Sequence, residues 1–357
     1  MTTLAQPDLP GATDGEIAAI NLESARRRAW SRFAEDPRRP GVAEEIVDDE
    51  RLAAQFLGDV DAFDRLDSLA SQFAGVDQSS RAALVQAEAA SAGHRFDEAR
   101  SHLALAARTG APREAIERHS LAIDQACGVD LDAVLAARRR IASTGDRLED
   151  LVPLGAVLAD LERFAEADAV YRHAFDSYHG TSPFPLAWVC FQLGMLWGEL
   201  MPAPDPEGAA RWYQRAIAYV PGYVRARVHL AEIDASQHQT GDAEALLLPV
   251  LATRDPEVQW RLGEVLLAQG RIDEANARLD AARFTFEELL GKHLLAFADH
   301  AAEFYAASGN DCRRALELAR ANARNRPTPR ALRQTHAIAA KCHEADVPRT
   351  QMAIRRN

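Results

Sequence analysis

The chain has 357 residues, a formal net charge of −12 and a composition that is 47% apolar. That length allows two compact domains or one elongated array, with enough apolar side chains for a sizeable core. The negative balance argues against nonspecific nucleic-acid binding by the chain as a whole, and no stretch approaches the roughly 20 apolar residues that span a bilayer. The charge is uneven, however. From Arg313 to Asn357 eleven basic residues face Glu317, Glu344 and Asp346, leaving +8 there and −20 on the rest. Such asymmetry suggests a basic C-terminal cap facing an acidic body, an acidic partner or a polyanion. Cys127, Cys190, Cys312 and Cys342 form no CxxC pair and no regular framework, so free packing thiols in a reducing compartment are expected. The first twelve residues lack the charged and apolar regions of a secretory signal, and a cytoplasmic location is expected.

In chain order, residues 1–13 contain Pro7, Pro10 and Gly11 and little to bury, so disorder is expected. Helical patterns at 14–34, 42–57 and 60–75 follow, the first two separated by the break DPRRPGV, and together 14–79 reads as an N-terminal cap or divergent repeat. From residue 80 a comb of small residues recurs. Gly155 is followed by Ala167, Tyr171 and Ala174; Gly263 by Ala275, Leu279 and Ala282. Ala231 is followed by Ala243, Leu247 and Val250, and Ala87 by Ala99, Leu103 and Ala106. Gly194 leads to Ala209, Tyr213 and Ala216 across a Pro-rich loop, and Ala302 to Ala315 and Ala319. With Ala337, the first members lie 68, 39, 37, 32, 39 and 35 residues apart, the first gap holding two periods with a degenerate pair at 113–145. Two antiparallel helices approach closely only where the contact residues are small, and one such pair cannot bury its apolar face alone, so pairs must stack.

Helix ends agree with this phase. Asp205–Pro206, Asp255–Pro256 and Thr328–Pro329 each set a capping side chain before a proline at the first helical position. Gly93, Gly241, Gly270 and Gly309 stand where turns between paired helices are expected. The segments LGAVLADLERFAEADAVYRHA, LGEVLLAQGRIDEANARLDAA and GAARWYQRAIAYVPGY resemble the tetratricopeptide repeat (TPR) family over roughly residues 80–345. The resemblance implies an all-α, right-handed α-solenoid of stacked antiparallel helix pairs, with repeats over 80–328 and a capping helix and basic tail over 329–357.

The resemblance also implies that the first helix of each pair lines a concave groove that grips an extended or helical peptide. Groove positions projected from the phase are Trp188, Phe191 and Met195 around Gly194, and Arg225, His229 and Glu232 around Ala231. Around Gly263 they are Trp260, Arg261 and Glu264, and around Ala302 they are His300 and Glu303. Aromatic residues would supply contact area. The pairs His229/Glu232, Arg261/Glu264 and His300/Glu303 would supply register, or would only stabilise solvated helix faces at i, i+3. The Lys and Asn clamp by which this family holds a C-terminal carboxylate is absent, its positions being filled by Val152, Phe191, Val228 and Trp260, then Ala156, Met195, Glu232 and Glu264.

No catalytic, cofactor or metal site is expected. The chain has no GxxxxGK[ST], GxSxG, HExxH or strand-borne GxGxxG, and the looser group His336, Cys342, His343 and Cys312 has no zinc-like spacing. A non-catalytic scaffold, adaptor or assembly factor for a protein partner is therefore the leading expectation. One alternative is a regulator or RNA-associated helper using the basic C-terminal segment, which lacks interleaved aromatics for base stacking. Another is an accessory subunit holding a small molecule near Trp188, Phe191, Trp197 and Trp260.

Overall fold

The computed structural model describes residues 11–346, and everything it describes as regular structure is helical. The first run is α1 (Gly15–Glu35), α2 (Val42–Leu57), α3 (Ala62–Val76), α4 (Ser80–Ala92), α5 (Phe96–Arg108), α6 (Arg113–Ala126) and α7 (Leu131–Ala142). The second is α8 (Leu148–Asp160), α9 (Phe164–Asp176), α10 (Pro183–Met195), α11 (Pro206–Tyr219), α12 (Val224–Ser236), α13 (Thr240–Leu247), α14 (Pro256–Ala268), α15 (Ile272–Ala306), α16 (Cys312–Asn325) and α17 (Pro329–Asp346). Each helix packs on the next, and alternate helices also touch: α2 with α4, α8 with α10, α12 with α14, α15 with α17. Contact across an intervening helix places the even-numbered row, continued by the second half of α15 and by α17, on the inner side of the curve.

The small-residue comb makes the joints. A Cβ on Gly155 or Gly194 would lie 2.4 Å from the ring of Tyr171 or Tyr213, and one on Gly263 would lie 2.7 Å from Leu279. Only a helix with no side chain at that point lets the ring lie flat on its backbone. The following alanines, Ala99, Ala167, Ala209, Ala243, Ala275 and Ala315, are all fully buried. At the helix starts, Asp205 and Asp255 accept the backbone N–H of Gly208 and Glu257, each at 2.9 Å. Thr328 accepts that of Ala331 at 3.2 Å.

Three details depart from expectation. Gly241 lies inside the first turn of α13 rather than in a turn between helices. The left-handed turn position between paired helices is held by His94, Glu162, His238 and Asn310 as well as by Gly270, so Gly93 and Gly309 stand one residue before it. The expectation of four free thiols is corrected: Cys312 and Cys342 form a disulfide between α16 and α17, and Cys127 and Cys190 are the free pair. The two helices bring these Cα atoms to 5.5 Å, within the reach of a disulfide, although 30 residues separate them in sequence. That pairing also removes the free-thiol argument for a reducing compartment. No helix among the described residues is long and apolar enough to cross a membrane.

The solenoid winds tightly enough for its second turn to rest on its first. Phe56, at the end of α2, lies 5.0 Å from Phe184 and 4.7 Å from Tyr223 between ring centroids, and joins their apolar core. Gly58, with φ of +64°, faces Val224 so closely that a Cβ would come within 2.8 Å. Further along the same seam Asp61 pairs with Arg254, and Asp64 with Lys292 and His293, each at 2.7 Å. His94 meets the carbonyl of Leu295, and Gly128 approaches Thr328. Thr13, part of the stretch expected to be disordered, donates its N–H to the Thr181 carbonyl at 2.8 Å. Residues 1–10 of that stretch, and the end of the basic tail with Arg349, Arg355 and Arg356, lie outside the described residues.

Candidate functional site

The inner row carries the projected groove residues, and they divide by chemistry. On α10, Phe191 and Met195 are buried, and Trp188 is half-buried between two apolar cores. Phe191 packs on Tyr213, Tyr223 and His229, with centroids 5.3–5.7 Å apart. On α14, Trp260 is also buried, and its indole N–H donates to Glu264 at 2.7 Å and to Ser308 at 3.2 Å. The aromatic residues thus spend their area on packing between repeats.

The charged residues stay in contact with water. Arg225 and Glu303 are exposed, and His229, Glu232, Arg261, Glu264 and His300 are partly so. They join across repeats more than along helices. His229 Nδ1 sits 2.9 Å from Glu199 and 3.3 Å from Glu232. Arg261 reaches back to Glu232 on the preceding inner helix, forward to Glu264 at 3.0 Å, and lies 3.6 Å above the Trp260 ring. Arg330, at the start of α17, closes the line on Glu199 at 3.4 Å. His300 does not pair with Glu303. Its Nδ1 lies 2.5 Å from Glu257 on α14, Arg326 binds the neighbouring Asp299 at 2.6 Å, and Glu303 accepts from Gln334 of α17 at 2.6 Å. Glu199, Glu257, Asp299 and Arg326 were absent from the groove projected by repeat phase. Glu257 lies in the first turn of α14 and Glu199 just beyond α10, but Asp299 lies mid-way along the second half of α15 and Arg326 follows α16, so no single repeat position marks them.

Proton affinities follow from this enclosure. Burial alone would depress the His229 pKa, but hydrogen bonds and charge from Glu199 and Glu232 override it and push it up to about 9. His300 is likewise disfavoured by burial, yet Glu257 and Asp299 push it up to about 10. Burial raises Asp299, but the charges of His300 and Arg326 carry it well below the usual carboxylate range. Asp255 goes the other way, raised by burial and by the neighbouring Glu257 charge. His300 keeps 41% of its side-chain exposure, as expected of a residue on the inner wall of a concave lumen. Between α12 and α14 the lumen wall holds a cleft of about 220 Å³, lined by Ala231, Glu232, Ala235, Arg261, Glu264 and Val265. Among the described residues no group of three or more His, Cys, Asp or Glu is placed to hold a metal ion.

No family model matches the chain, and no curated protein does. Among solved structures, a chain of the APC/C hetero-tetramer Cut9–Hcn1 superposes with a TM-score of 0.51 at 12% identity, over 76% of this chain and 52% of that one. The chain therefore spans about half the length of that relative. The human IFIT1 dimer with m7Gppp-AAAA gives a TM-score of 0.39 at 14% identity, over 85% of this chain and 72% of that one. At such identity the first likeness bears on the fold. Paired helices, glycines seated under tyrosine rings and alternate helices lining a concave row agree with it, and the chain is an α-solenoid of the tetratricopeptide-repeat type.

Proposed function

We infer that the protein is a non-catalytic scaffold that holds a segment of a partner protein in the lumen. The observation that carries this reading is the state of the inner charges. Arg225, His229, Glu232, Arg261, Glu264, His300 and Glu303 lie on the concave row yet keep access to water. Arg225 and Glu303 in particular are exposed and form no ion pair among the described residues, which leaves them available to a partner. For an extended segment the inner charges offer alternating donors and acceptors at repeat spacing, with Phe191, Met195, Trp188 and Trp260 fixing the wall behind them. The test is affinity purification from the native cell at low and high salt, with an Arg225→Ala, His300→Ala, Glu303→Ala variant alongside. A partner that binds at low salt and is lost in the variant supports the reading, and one that ignores the variant overturns it.

A second reading has a specific observation behind it. Arg314, Arg326, Arg330 and Arg333 are committed to Glu287, Asp299, Glu199 and Glu162. Arg313, Arg320 and Arg324 instead lie exposed along one face of α16 and form no ion pair among the described residues. An acidic partner or RNA could dock there, with binding that weakens steeply with salt. The small-molecule reading has less behind it. Phe191 and Trp260 are buried, and the Trp197 N–H is donated to Asp168 at 2.8 Å.

A further inference from the structure

From α5 onward each outer helix sets the same kind of residue at its eighth position. Leu103 stands there on α5, Tyr171 on α9, Tyr213 on α11, Leu247 on α13, Leu279 on α15 and Ala319 on α16, all apolar or aromatic. On α7 the eighth residue is Arg138. Val134, Leu135 and Ile141 are buried beside it, so Arg138 lies on the core stripe of α7 and not on its solvated face. Its neighbours Arg139 and Arg140 point the other way and pair with Glu166 and Glu117.

Arg138 is 5% exposed and has no partner among the described residues. Its Nε is sealed from solvent without an acceptor, and its terminal nitrogens make no hydrogen bond or ion pair there either. The other buried charges are satisfied: Glu50 by Arg65 and the Trp30 indole, Asp150 by Arg118, His293 by Asp64. Burial first, then the Arg118 charge, lower the Arg138 pKa, with Asp150 opposing. Arg227 is also lowered by burial, but it donates to the Pro221 and Leu246 carbonyls at 2.6 and 2.9 Å. A guanidinium does not shed its proton at ordinary pH, so Arg138 has no neutral form to retreat to. An uncompensated buried charge strongly destabilises a fold.

The one carboxylate that acts on Arg138 is Asp150, itself 3% exposed, and Arg118 of α6 holds it with both terminal nitrogens. Two guanidinium groups and one carboxylate leave the joint with a positive charge in excess. The packing around it is thin, because α6 buries Ile123 alone while α8 buries most of its length.

We propose that the joint between α6, α7 and α8 is a binding site for a small oxyanion, of the phosphate or carboxylate kind, gripped by the terminal nitrogens of Arg138 with Arg118 beside them. The parallel N–H groups of a guanidinium match two oxygens of one such group. A cation or a neutral ligand would leave Arg138 uncompensated. An anion held only by the folded form adds to its stability, so the pair of helices least supported by apolar contact is firmed by its ligand. The site is separate from the lumen and does not depend on it.

The test is isothermal titration calorimetry and thermal melting of the full chain in sodium phosphate and in sodium succinate, each against sodium chloride at equal ionic strength. The two salts separate the two kinds of oxyanion. The wild type is expected to take up one of them and to melt higher in it than in chloride. Arg138→Leu restores the residue type of the other joints, so it should melt higher than the wild type in chloride. It should also lose at least about tenfold in anion affinity. Asp150→Asn releases Arg118 and should tighten the binding. A wild type that melts alike in all three salts and takes up neither anion overturns the site. So does an Arg138→Leu variant that responds as the wild type does, which would leave an adventitious ion only. An Asp150→Asn variant that keeps its helical signal yet binds more weakly contradicts the arrangement as well. Partner capture by the lumen is tested separately and stands or falls without this site.

Discussion

Gly194 lies against the ring of Tyr213 with no room for a methyl group, while His229, stacked on that same ring at 5.5 Å, keeps a fifth of its side-chain exposure between two carboxylates. A few ångströms separate a joint that tolerates no change from a surface that retains water. The joint works by contact density, so its residues are small or aromatic and their spacing repeats. The lumen works by charge, so its residues vary from repeat to repeat and their partners come from neighbouring helices. Shape is conserved along the array by the first, and chemistry is free to differ along it by the second.

Substitutions at the joint should cost most. Tyr213→Ala would leave a cavity beneath Gly194, and a loss of about 3–5 kcal/mol is expected from chemical denaturation. Tyr213→Phe sharpens the point, because the Tyr213 hydroxyl is buried without a partner. Removing it should leave stability unchanged or slightly higher. Gly194→Ala, with its Cβ 2.4 Å from the Tyr213 ring, should cost about 1–3 kcal/mol through overpacking.

The lumen should show itself through pH. Because the folded-state pKa of His229 is raised, its stabilising contribution is full below about pH 6.5 and is lost as pH rises through about 9. Allowing for the partial exposure of the ring, about 1–2 kcal/mol should disappear between pH 7 and 10. His229→Gln should flatten that part of a melting-temperature profile, and an unchanged profile would contradict the pairing with Glu199 and Glu232. The smallest effect belongs to the outer surface. Arg163→Ala breaks an exposed pair with Glu166 at i, i+3, a carboxylate that keeps Arg139, and should leave the melting temperature unchanged.

The joints were legible in the sequence because each needs a residue type at a fixed spacing. Gly155, Gly194 and Gly263 with their tyrosine or leucine partners could be read without coordinates. So could the capping pairs at Asp205, Asp255 and Thr328. The lumen was legible only as a face. Repeat phase placed His229, Arg261 and His300 on it, but His300 reaches Glu257 rather than Glu303, because side chains of adjacent inner helices converge inside the curve. Closure of one turn on the next was not legible at all. It joins residues such as Asp64 and Lys292, 228 positions apart, and depends on small rotations accumulated over every intervening pair. The Cys312–Cys342 pairing was hidden for a similar reason, since two cysteines on facing helices carry no local motif.

The central claim is that the lumen charges serve a partner as well as the fold. The most direct measurement compares partner capture by the wild type with capture by two variants of equal helical content. In one, Arg225, His300 and Glu303 are changed to Ala; in the other, Arg313, Arg320 and Arg324 on α16 are changed to Ala. The account predicts a protein partner that is lost with the first variant and kept with the second. A partner that ignores the lumen changes and leaves with the α16 changes would contradict it.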